Sequence, residues 1–159
     1  MSAEISSIME TKVYYAHEED SIENVLKILV DNKISGVPIV NKDMEVVGFI
    51  SDGDIMKFIA KQDPRIIDMT SFVTVWYDSE SLDQKMDDLL NINVMELATT
   101  KIIYATPDQS VDEVARTLGK KRIKKLPVIQ DGKLVGVISR HNIIRFIISY
   151  QLERGEERQ

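Results

Sequence analysis

Arg122, Lys124, Lys125, Arg140 and His141 are five potential cations in a chain whose formal net charge is −6. Gathered by a fold they suit an anionic ligand, because charge-assisted hydrogen bonds to phosphate are about twice as strong as neutral ones. The alternative is a solvated surface with cations near a helix C-terminus. Asp54 offers the opposite chemistry. A carboxylate in the first turn of a helix can accept two hydroxyl hydrogens. It also stabilises that turn by about 0.3–1 kcal/mol with no ligand at all. Asp78, Glu80, Asp83, Asp87 and Asp88 suggest a metal cluster in composition only: their spacing fits no calcium loop and does fit a solvated helix face. His17 and His141 lie far apart and no cysteine accompanies them, so no metal site is expected. Neither a Walker loop nor a nucleophile elbow is present, and the expectation is a binding protein, not an enzyme.

The elements that must position these groups come in two copies. Lys12-Val13-Tyr14-Tyr15-Ala16 aligns with Lys101-Ile102-Ile103-Tyr104-Ala105 at an offset of 89, as does Val37-Pro38-Ile39-Val40 with Leu126-Pro127-Val128-Ile129. The offset falls to 88 for Val47-Gly48-Phe49-Ile50-Ser51 against Val135-Gly136-Val137-Ile138-Ser139. The lost residue lies in the intervening turn, where insertions are tolerated. Each copy reads as a short strand (near Val13–Tyr15 or Ile102–Tyr104), a helix, a hairpin of two strands, and a second helix. Ser21 and Ser110 are helix caps, with Glu113 expected to complete a capping box at Ser110. The first helices present Ile22, Val25, Leu26 and Leu29 in one copy and Val111, Val114, Ala115 and Leu118 in the other. Pro38 and Pro127 are expected to border strands. The hairpins are Val37–Val40 with Val46–Ile50 and Leu126–Ile129 with Leu134–Ile138, the latter turning at Asp131-Gly132.

The rest follows from length and pattern. The apolar stripe from Ile143 to Ile148 is broad, enough to cover a sheet and also meet a partner subunit. Residues 61–93 form a structured insert, with a strand around Phe72–Trp76 and a helix from Ser81 through Leu90; Trp76 is read as packing. Residues 151–159 form a flexible tail. Two isolated units of about 60 residues would each be marginal, so mutual packing is expected. The negative charge disfavours nucleic acid, even with Arg116 and the cations of Lys120–Lys125, and disfavours an anionic membrane. With no signal-like or membrane-spanning segment, the expected location is cytoplasmic.

The repeated hydrophobic-Pro-hydrophobic strand followed by Gly-x-Ile-Ser and a helix resembles the CBS domain family, and the pair resembles a tandem CBS, or Bateman, module. The resemblance covers repeats at 5–60 and 94–150. It implies an α/β fold: two β-α-β-β-α repeats packed as a pseudo-twofold module with two clefts, and the 61–93 segment inserted between them. It also implies regulation through adenine-containing ligands: AMP, ADP or ATP, with S-adenosylmethionine as an alternative. Homodimers, and effects on a separate effector protein, are implied too.

Residue by residue, the family's Ser/Thr-x-x-Asp element matches Ser51-Asp52-Gly53-Asp54, which casts Asp54 as the ribose acceptor and Ser51 as a donor. Val37 and Pro38 would wall the adenine, and backbone groups near Val13, Tyr15 and Ala16 would read its edge. In the second copy the strand at Leu126 and Pro127 follows Lys124 and Lys125, where the family places phosphate-facing cations. There Ser139-Arg140-His141-Asn142 departs from the pattern, with Asn142 in place of the carboxylate. One favoured nucleotide site and one altered or vacant site are therefore expected. The rival expectation is a ligand-free dimerisation or scaffolding module, favoured by the broad terminal helix and the insert.

Overall fold

The computed structural model describes residues 3–61, 63–68, 73–77 and 81–157, with side chains outside 62–80. In chain order its elements are β1 (Ala16–His17), α1 (Ile22–Asp31), β2 (Gly36–Val40), β3 (Val46–Ser51), α2 (Asp52–Ile59), β4 (Asp63–Asp68), β5 (Val73–Tyr77) and α3 (Leu82–Asn91). After them come α4 (Val111–Lys121), β6 (Lys125–Gln130), β7 (Lys133–Ser139) and α5 (Arg140–Glu156). Short 3-10 turns at Ile5–Ser7 and Val94–Glu96 open the two copies at the same offset of 89. The mixed α/β architecture is the one the repeat implies.

Two compact units form, and neither is one contiguous repeat. One comprises Tyr15–Ile39 and Gly48–Thr100; the other comprises Met1–Tyr14, Val40–Val47 and Lys101–Gln159. The leading segment of each copy thus belongs with the core elements of the other.

In the unit holding most of the first copy, β1, β2 and β3 are neighbours in that order. Ser21 caps α1 by accepting from the Asn24 N–H, and Ile22, Val25 and Leu29 bury the expected stripe. Every residue of β2 is buried. The second copy's leading segment completes this unit. Val94 is fully buried, and Thr99 exchanges both backbone hydrogen bonds with Phe49 at 2.9 Å. The insert helix α3 packs on α1 and α2. Its Lys85 is only 6% exposed because its ammonium donates to the Ile59 and Lys61 carbonyls, at the C-terminal end of α2 where cations are favoured. β4 and β5 pair antiparallel, from Asp63 opposite Tyr77 to Asp68 opposite Val73. The side-chain role expected of Trp76, and Asp78 and Glu80 altogether, lie outside the described residues.

The other unit repeats the pattern. β6 and β7 pair antiparallel around a turn in which Asp131 and Gly132 both take positive φ, 53° and 80°, as the Asp-Gly signal requires. Its core joins Val111, Val114 and Leu118 of α4 to Leu126, Val128, Ile138 and Ile143, with Ile5 arriving from the leading segment. Glu10 exchanges two backbone hydrogen bonds with Val137, again at 2.9 Å. Gly136 permits this approach, since a Cβ there would meet the Glu10 carbonyl oxygen at 2.9 Å and the Met9 sulfur at 3.0 Å.

Several local expectations are corrected. The leading strands fall later, at Ala16–His17 and at an isolated bridge from Ala105 to Val128. Ala16 and Ala105 are buried while Tyr14, Ile103 and Tyr104 are exposed, so the small residue makes the close approach. Pro127 sits within β6, not at its border. It is tolerated because Val137 opposite it sends its N–H and carbonyl to Glu10, so no ladder bond needs a proline N–H. Pro38 is likewise internal to β2. Ser110 accepts from the Glu113 N–H, but reciprocal capping boxes occur instead at Ser51/Asp54 and Ser139/Asn142, where shorter side chains reach back. Helix α5 runs through Glu156, past the expected start of the tail. It buries Ile143, while Ile144, Ile147, Ile148 and Leu152 are exposed.

Candidate functional site

Each copy ends its hairpin in a serine that opens a helix, and the residue three positions on turns back to that serine. At the start of α2, Asp54 Oδ2 accepts from the Ser51 N–H at 2.9 Å and from its hydroxyl at 3.1 Å. Oδ1 has no donor among the described residues. The carboxylate is half-buried at a helix N-terminus, where positive backbone ends favour its charge. It is held in one orientation and keeps one oxygen for an outside donor.

At the start of α5 the same geometry is made with an amide. Asn142 Oδ1 accepts from the Ser139 N–H at 2.7 Å and its hydroxyl at 2.9 Å, and the Ser139 hydroxyl oxygen in turn accepts from the Asn142 N–H at 3.3 Å. The remaining atom is a donor: Nδ2 donates one of its two hydrogens to Glu10 Oε1 at 3.2 Å. Asn142 is 5% exposed. An open cleft of about 290 Å³ adjoins it, lined also by Ser7, Ile8, Arg145, Phe146 and Ser149.

The five candidate cations behave differently from one another. Arg140 is engaged: its guanidinium donates to the Ile123 and Leu118 carbonyls, at 2.8 and 3.1 Å, beyond the end of α4 and in its last turn. Arg122 adopts the left-handed conformation that ends α4, with φ 53°. Lys125 begins β6, half-buried; burial lowers its pKa from the usual lysine value, and the Glu10 carboxylate opposes that shift. Lys124 and His141 are exposed. Among the described residues, no group of three His, Cys, Asp or Glu side chains could hold a metal ion.

Tyr15, Ala16, Val37, Pro38, Ser51 and Asp54 fall in one unit, and Val13, Lys124, Lys125, Leu126, Pro127, Ser139, Arg140, His141 and Asn142 in the other. Val37, Pro38, Leu126 and Pro127 are buried strand residues, and Ala16 is buried beside β2. Glu10 was not among the candidates. Its signal was the offset of 89 continued upstream, which matches Glu10 to Thr99.

Comparison with known proteins gives the same pattern. The model of the CBS domain family matches residues 5–61 and 94–149. Protein MJ1426 of Methanocaldococcus jannaschii is 32% identical over 155 residues, covering 91% of this chain and 90% of that protein. Several other relatives are longer, and the chain spans 24% to 59% of their length. Among solved structures, CBSX2 in complex with AMP superposes with a TM-score of 0.71 at 20% identity, covering 93% of this chain and 98% of that one. The CBS domain pair of protein MJ0100, in complex with 5′-methylthioadenosine and S-adenosyl-L-methionine, superposes at 0.66 with 25% identity, covering 91% and 99%. No described helix is long and apolar enough to cross a membrane.

Proposed function

The chain belongs to the CBS domain family, and from that premise we propose that it is a regulatory sensor of an adenine-containing ligand, bound through the first copy's serine–carboxylate pair. The observation that carries the reading is Asp54. Its Oδ2 is fixed by two bonds from Ser51 while Oδ1 is left to accept. An ionised carboxylate presented this way accepts sugar hydroxyls without reorganising. The complexes of CBSX2 with AMP and of the MJ0100 pair with adenosyl compounds support adenosine as the shared chemistry. AMP, ADP or ATP is the favoured ligand, with S-adenosylmethionine second.

Binding regulates only if the ligand prefers one conformation, so the output is a population shift read by a separate effector protein or by self-association as a homodimer. The longer relatives support an effector outside this segment. Within the other unit the half-buried Lys125 and exposed Lys124 are the candidates for an anionic group, while Arg140 is committed to backbone carbonyls. Calorimetric titration with AMP, ADP, ATP and S-adenosylmethionine tests the proposal. Saturable binding of one of them is expected, and a folded protein that binds none of the four would favour the scaffolding alternative.

A further inference from the structure

One carboxylate is distributed differently in the two units. The unit built on the first copy's core carries it on the helix, at Asp54, and has Thr99, from the second copy's leading segment, paired to Phe49. The unit built on the second copy's core has an amide on the helix, at Asn142, and carries its carboxylate on the leading segment of the first copy, at Glu10 paired to Val137. Asp54 Oδ2 and Asn142 Oδ1 do the same work, each accepting from the N–H and hydroxyl of the preceding serine. The partner atoms differ in sense. Asp54 Oδ1 is an acceptor awaiting a donor, whereas Asn142 Nδ2 is a donor with one of its two hydrogens already held by Glu10 Oε1 at 3.2 Å.

We propose that Glu10 closes the second copy to vicinal-diol ligands, its Oε1 standing where a ligand hydroxyl oxygen would stand against Asp54 in the first. This rests on the reading of Asp54 as a hydroxyl acceptor. A sugar hydroxyl taking the Nδ2 hydrogen that Glu10 holds, the position matching Asp54 Oδ1, must displace a carboxylate and replace a charge-assisted bond with a neutral one. It must do so at an amide that is 5% exposed and pays in full for any unmade bond. Glu10 also opposes the lowering of the pKa of the half-buried Lys125, so moving it away weakens that electrostatic support. Two backbone bonds to Val137, with Gly136 beneath them, hold Glu10 in register. Glu10 is thus a specificity-determining residue, and the chain takes one diol ligand, at Asp54.

Two measurements on the full chain test this. The first needs no ligand. Asn142→Asp sets two carboxylates at hydrogen-bond distance, and the expected result is a lower Tm that falls further as pH rises above the carboxylate range. Adding Glu10→Gln restores an amide–carboxylate pair with donor and acceptor exchanged, and should recover the Tm. Indifference of Asn142→Asp to the residue at position 10 would overturn the contact. The second is calorimetric stoichiometry with AMP for the wild type and for Asn142→Asp/Glu10→Thr, which gives the unit of Asn142 the residues that stand at the matching positions in the unit of Asp54. One site rising to two is expected. Binding by the double variant but not by the wild type would sink the Asp54 reading and uphold closure by Glu10. Two sites in the wild type, or a folded double variant that binds no more than the wild type, would overturn the closure. If that variant does not fold, the Tm coupling of 142 with 10 decides.

Discussion

Replacing Asp54 with asparagine separates ligand binding from helix capping, because the protein already shows what asparagine does at the matching position. Asn142 accepts both serine bonds through Oδ1 and keeps the start of α5 in place. Asp54→Asn should therefore preserve the capping box and change one thing, turning the open acceptor into a donor. The expected loss of stability is the first-turn charge term alone, about 0.3–1 kcal/mol. The expected loss of affinity is larger. A hydrogen bond to a charged group contributes about 1.5–3 kcal/mol and every 1.4 kcal/mol is tenfold, so AMP should bind about 10- to 150-fold more weakly. Calorimetric titration gives the affinity, and urea unfolding of the same sample gives the stability. Affinity within about twofold of wild type, with normal folding, would show that Asp54 only starts a helix.

Four further outcomes are expected. Gly136→Ala places a Cβ 2.9 Å from the Glu10 carbonyl oxygen and should destabilise by about 1–3 kcal/mol in urea unfolding, the usual range for overpacking. Gly48→Ala, whose nearest contact is the Thr99 carbonyl oxygen at 3.3 Å, should be milder. Lys85→Met removes the ammonium that bonds the Ile59 and Lys61 carbonyls and should cost about 2 kcal/mol; an unchanged urea midpoint would refute the contact. Lys125 has its pKa lowered on folding from 10.5. Between that lowered value and 10.5 the unfolded chain holds more protons, so this residue makes stability rise with pH through the window. Urea midpoints compared from neutral pH upward should show a contribution that Lys125→Met abolishes.

Much of the local structure was legible because it depends on neighbours in the chain. The α1 and α4 stripes follow from helical period, the serine caps from the need to satisfy free N–H groups, and the Asp131-Gly132 turn from its positive φ angles. Local reasoning failed where a distant backbone intervened. Proline enters β6 at a pair that makes no bond across the hairpin: Val137 opposite it turns its N–H and carbonyl to Glu10, and the Pro127 carbonyl turns to Ala105. The leading strands shrank to alanine contacts for a similar reason: backbone proximity, not strand propensity, chose the pairing residue.

The sequence by itself determined the duplication, the element order in each copy, and the unequal residues at 54 and 142. Those are properties of periodicity and side-chain type, and they need no coordinates. Tertiary structure decided what the inequality means. It brought residue 10 within hydrogen-bond reach of residue 142, and it committed Arg140 to the end of α4. Hydrogen bonds require donor and acceptor within about 3 Å in a fixed direction. A separation of 132 positions along the chain carries no information about that geometry.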